Sequence, residues 1–258
     1  MKKNLKDTVR YAGIYDTETS LQHYGKSNFE VGLLEAEKNL VLKYFKNKFD
    51  IKIADMGCGT GRFALNLSLL GYRYIDGYDI SLNSINFAKS CKENLKFKNS
   101  STKINFIHAD LTEYKFTEEK YDLIFFTFNS LMCIPFHKNK IKVLKKSFKL
   151  LKPNGILIFT ADQAVGDLSK EKYINENKIR LISQQTLWRP EDIVFKISQY
   201  EGVLCYYNKE DILKMLKEAN LPNPILIKTR DEIGIENKEA KKFSDNAYYY
   251  VLKNKPLK

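Results

Sequence analysis

Three aspartates, Asp55, Asp79 and Asp110, each close a short apolar run, and the first stands just ahead of a glycine-rich turn, Gly57-Cys58-Gly59-Thr60-Gly61. A glycine turn between a strand and a helix lets the backbone approach a ligand closely. An acid at the end of the next strand can accept both hydroxyls of a ribose. The third acid, in His108-Ala109-Asp110-Leu111, borders the same crevice, because ligands of open α/β sheets lie outside the carboxyl ends of the strands. The turn reads Gly-x-Gly-x-Gly and has Asp55 two residues ahead of it. A carboxylate there repels a pyrophosphate and favours a cation. Arg62-Phe63 follows the last glycine, where a triphosphate-binding loop carries Lys-Ser/Thr. The pattern suits a nucleoside that carries positive charge.

Groups that could move a proton are few. The chain has three histidines, His23, His108 and His137. His108 falls inside an apolar run and reads as core. His137 follows Pro135-Phe136 on the ligand side, and His23 sits beside Tyr24 in the N-terminal segment. His137, His23 and Tyr24 are therefore the weak candidates for a general base. Cys58, Cys91, Cys133 and Cys205 form no C-x-x-C pair and read as reduced thiols in a cytoplasmic protein. Cys133 reads as a small buried hydrophobe. No metal site is expected.

The elements that must position these groups alternate. Strands are predicted at 51–56, 72–78, 103–109, 121–128 and 156–160, with helices over 62–70, 83–95 and 138–151. The fourth run is nearly all apolar, as a strand buried on both faces requires. This alternation predicts a doubly wound, mostly parallel α/β sheet with right-handed crossovers. The chain divides into a helical N-terminal flap (1–48), a core (49–161), an insertion (162–205) and a C-terminal part of the sheet (206–258). All belong to one domain. In the last part Asn208-x-x-Asp211 is a candidate helix cap.

Asp55-Met56-Gly57-Cys58-Gly59-Thr60-Gly61 resembles the first motif of the class I S-adenosylmethionine-dependent methyltransferases. Tyr78-Asp79-Ile80-Ser81 resembles the acidic end of their second strand, and Ala109-Asp110-Leu111 their adenine-side acid. Tyr121–Phe126 is similar to their fourth strand, Leu150–Gly155 to the turn before their fifth, and Tyr206–Asn220 to a late helix. The resemblance is tight over 50–160. It implies a Rossmann-like sheet of seven strands, S-adenosyl-L-methionine as cofactor, and methyl transfer. It also implies that Asp55 reaches the methionine ammonium. Gly57, Cys58, Gly59 and Gly61 would line the methionine and ribose side. Asp79 would hold the ribose, Ile80 and Leu111 would cover the adenine, and Asp110 would accept from its amine. Phe126, Thr127 and Phe128 would lie near the methionine. Asn154 replaces a usual glycine, but Asn tolerates positive φ.

The acceptor is less legible. Asn129 is not followed by Pro-Pro-Tyr, which disfavours nucleobase amino methylation. Tyr15, Tyr24, Asn129, Trp188 and Arg189 are the candidates for substrate contact, the last two inside the insertion. The net charge is +12, but only six of the 43 basic residues are arginine. Lys138, Lys142, Lys145, Lys149 and Lys152 share one helical face, which reads as solvated. A small-molecule acceptor, methylated at N or O, is expected. RNA is the alternative partner that the charge suggests, and binding of the nucleoside without turnover is a third reading. No run approaches the roughly 20 apolar residues needed to span a bilayer, so no membrane partner is expected.

Overall fold

A computed structural model describes residues 11–94, 97, 101–116, 121–163, 172, 192–197 and 199–255. Trp188 and Arg189 lie outside them. The strands are β1 (Lys52–Met56), β2 (Tyr74–Asp79), β3 (Lys103–His108), β4 (Tyr121–Phe126), β5 (Leu151–Ala161), β6 (Asp192–Ile197), β7 (Tyr200–Cys205), β8 (Leu226–Thr229) and β9 (Tyr248–Lys253). Seven of them form one sheet in the order β3-β2-β1-β4-β5-β9-β8. The first five are parallel, and β9 runs antiparallel to both β5 and β8.

β4 is the centre of this sheet because both of its faces are greasy. Leu123 and Phe125 turn into one core with Ile53, Ile158 and Val251. Ile124 and Phe126 turn into the other with Ala54, Leu157 and Tyr250. That two-residue alternation is the strand's own geometry. Crossover helices α3 (Arg62–Ser68), α4 (Leu82–Lys92) and α5 (His137–Lys149) link successive parallel strands. The winding reverses between β1 and β4, so a crevice opens at their carboxyl ends.

Two boundaries near the site differ from those predicted. β4 stops at Phe126 rather than Phe128, because Phe128 and Asn129 adopt left-handed backbone, with φ of +43° and +57°. Leu151 belongs to β5, where it pairs with Tyr121; Lys152–Gly155 bulge out before Ile156 pairs with Leu123. Asn154 takes φ +65°, and its amide donates to the Asn254 carbonyl. The insertion contains a hairpin, β6–β7. The Asn208 cap forms as expected: its side chain accepts from the Asp211 amide at the start of α6 (Lys209–Glu218).

The N-terminal segment folds as a 3-10 turn (Gly13–Asp16), α1 (Glu18–Glu30) and α2 (Glu35–Phe45). The turn is latched over the β2–α4 loop. Asp16 accepts from the Ser81 hydroxyl at 2.6 Å and from the Asn83 amide at 3.2 Å. Glu37 of α2 is fully buried and holds Arg62 of α3 in a fork, at 2.7 and 2.5 Å. After β8 come α7 (Arg230–Ile233) and α8 (Lys238–Phe243). The loop between them returns Glu236 to cap the amides of Glu35 and Ala36. No helix among the described residues is long and apolar enough to cross a membrane.

Removing one partner of a buried ion pair strands the other charge. Glu37→Ala should cost about 3–5 kcal/mol of stability in urea unfolding. Removing Arg62 as well should cost less than the two single losses added together.

Candidate active site

A cavity of about 1080 Å³, its open mouth included, lies at the carboxyl ends of β1, β2 and β4. The glycine turn forms its floor. Gly57 sits at φ +75° with Ser130 so close that an added Cβ would stand 2.6 Å from the serine Cβ. Gly59, at φ +50°, has no heavy atom within 4 Å of where its Cβ would be. A side chain there would project into unfilled space, so the glycine keeps bare backbone at that point. Cys58 and Gly59 line the cavity with Gly57. Gly61 does not; it is packed against Phe106 and Ala88.

The turn's own amides are largely committed. Those of Gly57 and Cys58 both donate to the Tyr78 carbonyl, and that of Gly61 to the Cys58 carbonyl. The Gly59 amide donates to Asp79 Oδ2 at 2.7 Å. A pyrophosphate would find none of these four donors free, unlike the cradle of a phosphate-binding loop. The turn instead wraps a carboxylate. Asp79 Oδ1 accepts from the Ser81 amide at 2.8 Å, and both contacts aim the group at the cavity it lines. Burial raises the Asp79 carboxyl above its ordinary value, and the two amides offset part of that.

Beyond Asp79 the wall continues through Ile80, Asp110 and Leu111. The Asp110 Oδ1 is fixed by the Thr112 amide and hydroxyl, at 2.9 and 2.7 Å. His108 is not a core residue, as its place in an apolar run suggested. It ends β3 exposed, with its ring nitrogen 2.9 Å from the Ile80 carbonyl. At the other end stand Tyr15, Tyr24, Thr127 and Phe128. Cys133 is also there, only partly buried and lining the cavity with Tyr15. Thr127 and Phe128 were expected at this end; Cys133 was not.

Besides Gly61, four expected site residues lie elsewhere. Phe126 faces the core from the last residue of β4, so Phe128 takes its place at the cavity. His137 docks α5 onto the C-terminal part of the chain, bonding the Tyr207 hydroxyl at 3.2 Å and Glu218 at 2.8 Å. His23 is exposed, stacked on Phe243 at 4.9 Å. Asn129 gives its side-chain amide to Asp162 at 2.7 Å and its backbone amide to Thr160.

Asp55 is fully buried beneath the turn, and neither carboxyl oxygen has a hydrogen-bond partner. Burial pushes its pKa up to about 8; the Arg62 guanidinium pulls it down, while Glu37 and Asp79 push it up. An unsatisfied buried carboxyl calls for a cation.

Residues 47–220 match the family described as a methyltransferase domain, and the chain belongs to it. It is 27% identical over 213 residues to the phosphoethanolamine N-methyltransferase of Plasmodium falciparum, covering 76% of this chain and 77% of that one. The fold is also that of an S-adenosylmethionine-dependent methyltransferase from Methanosarcina mazei. There the TM-score is 0.67 at 16% identity, over 84% of this chain and 98% of that one. A phosphoethanolamine N-methyltransferase 2 from Haemonchus contortus, in complex with phosphomonomethylethanolamine and S-adenosylhomocysteine, aligns at TM-score 0.62 and 16% identity. All of this chain matches 62% of its length. The protein is an S-adenosylmethionine-dependent methyltransferase. The residues present fit the cofactor: an orphaned carboxyl for a cation, a fixed carboxylate for a diol, and open backbone at Gly59. The cofactor supplies an electrophilic methyl on a sulfonium sulfur.

The raised Asp55 pKa has a signed consequence. Above the ordinary carboxylate range the unfolded chain ionises while the folded, cofactor-free protein holds its proton, so stability falls as pH rises towards about 8. Asp55→Asn should remove that loss. At pH 8 it should raise the stability of the cofactor-free protein by about 2–4 kcal/mol and leave it little changed at pH 4. Calorimetry should show S-adenosylhomocysteine bound roughly 10–100-fold more weakly by the same variant.

Proposed function

We propose that this enzyme methylates a small-molecule amine, and that the reaction proceeds without a side-chain base. The observation that carries this reading is the chemistry of the chamber beside the glycine turn. It is walled by Tyr15, Tyr24 and Phe128 and carries one hydroxyl–thiol pair, Tyr15 and Cys133. Burial holds Tyr15 well above its ordinary value, Tyr24 up to about 12, and Cys133 above its own. All three stay protonated near neutrality and act as walls and donors. None of the three histidines lines the cavity; His23 stands behind Tyr24, edge-on at 5.0 Å, and is itself exposed.

In-line transfer then rests on proximity and orientation. Asp55 would anchor the methionine ammonium, Asp79 the ribose, and Ile80, Asp110 and Leu111 the adenine. Thr127 and Phe128 would border the transferred methyl. An amine arrives with its lone pair after losing its proton to solvent. Aromatic faces tolerate the ammonium it becomes. The similarity to a phosphoethanolamine N-methyltransferase supports an amine acceptor. The free thiols accord with a reducing, cytoplasmic setting.

A methyl-transfer assay over a panel of small amines, phenols and bulk tRNA tests this. At saturating cofactor, kcat/KM should rise with pH along the acceptor's own ammonium titration. Tyr15→Phe should reduce it by less than about tenfold, against the 10²–10⁴ expected of a lost general base. Methylation of RNA alone, with binding that weakens steeply in salt, would overturn the proposal.

A further inference from the structure

We infer that Phe243 is a positioning residue of the acceptor chamber: from behind the walls it sets the spacing of Tyr24 and Phe128, and with it the size of amine that fits. The inference rests on the reading of that chamber as an amine site. Phe243 does not line the cavity; it is half-buried at the end of α8. Its ring centroid lies 4.9 Å from that of Phe128, tilted by 48°, and 6.2 Å from that of Tyr24, edge-on at 87°. Aromatic rings attract at such spacings. The two walls come from distant parts of the chain, Tyr24 from α1 and Phe128 from just after β4, and one ring contacts both.

That ring is mounted firmly. Asn237 caps α8, accepting from the Ala240 amide at 2.8 Å, and Ala240 is fully buried. At the far end of the helix the buried Arg230 guanidinium donates to the hydroxyl and the carbonyl of Ser244, the residue after Phe243. Just ahead of α8, Glu236 accepts from the Glu35 and Ala36 amides of α2. The chain at Gly234 packs so closely on α2 that an added Cβ would stand 2.8 Å from the Ala36 nitrogen. A short helix tied down on both sides holds its last side chain to one position, as a shell that supports a site must.

Phe128 needs such a neighbour. Its φ of +43° is a left-handed conformation, which a bulky residue keeps only when its surroundings hold it there. Two neighbours hold its ring: the Arg62 guanidinium, with Cζ 3.9 Å from the centroid, and Phe243. Without Phe243 the rings of Phe128 and Tyr24 can lean into the space it leaves, and the chamber widens. An apolar pocket discriminates by the room it leaves for each added methylene. Phe243 also lies beyond residue 220, where the match to the methyltransferase family ends. It belongs to the part of the chain that sets this enzyme apart from the shared pattern.

The test uses the full chain saturated with S-adenosylhomocysteine and two probes, tetramethylammonium and the bulkier benzyltrimethylammonium, cations that aromatic walls bind. Calorimetry gives the ratio of the two affinities. Phe243→Ala, checked for folding by its thermal transition, should move that ratio about tenfold towards benzyltrimethylammonium. S-adenosylhomocysteine itself should bind within a few-fold of its wild-type affinity. Phe243→Leu keeps most of the volume and decides the matter where the alanine variant does not fold; it should move the ratio the same way by a smaller factor. A ratio unchanged, or moved towards the smaller probe, overturns the inference and leaves the amine reading in place. So does a parallel loss of S-adenosylhomocysteine binding, which would mark Phe243 as a general support. Failure of both probes to bind the wild-type complex overturns the amine reading and this inference with it.

Discussion

The ion pair between Arg62 and Glu37 ties the N-terminal helices to the helix that follows the glycine turn. Glu37 comes from α2, ahead of the sheet, and Arg62 opens α3, the helix that the glycine turn feeds. Glu37 also accepts from the Leu34 amide, so the same carboxylate starts its own helix. Phe128, held in left-handed backbone after β4, rests on the guanidinium. One buried pair thus fixes the N-terminal helices, the floor of the cavity and the edge of its acceptor end. Both charges are almost wholly removed from water, where a pair survives only if its geometry is complete.

The acids of the site divide the work by how they are satisfied. Asp79 is braced by two amides and Asp110 by Thr112, which fixes their oxygens before any ligand arrives. Asp55 is braced by nothing that bonds it, and its raised pKa records the cost. The net charge of +12 has little to do with this region. Along α5 and just beyond it the basic groups are answered locally: Lys142 by Glu113, Lys146 by three carbonyls and Lys152 by Asp122. Lys140 lies off that face and is buried, with its ammonium against the Cys205 sulfur at 3.0 Å.

Most of the sheet was legible because its signals are local. Apolar runs, a glycine turn and terminal acids sit within a few residues of one another, and the structure keeps their order. The misplaced parts depend on distant neighbours. Whether Lys152–Gly155 turns or joins a strand is decided by Asn254, about a hundred residues on. His137 looked poised for catalysis because it follows β4. The residues that claim it, Tyr207 and Glu218, lie about seventy and eighty positions later. Cys133 carries no motif, and its place at the cavity follows from where β4 breaks off. Cavity residues such as Tyr15 and Tyr24 fall outside the segment that matches the methyltransferase family. The family's pattern therefore carries no information about them.

The glycine turn closes on itself, with its amides spent on Tyr78, Cys58 and Asp79. Its conformational entropy is therefore lost once, when the chain folds, and not again at each catalytic cycle. A nucleoside entering this cavity meets a surface whose shape does not depend on its arrival. The free energy of its contacts then goes into holding it rather than into ordering the protein around it.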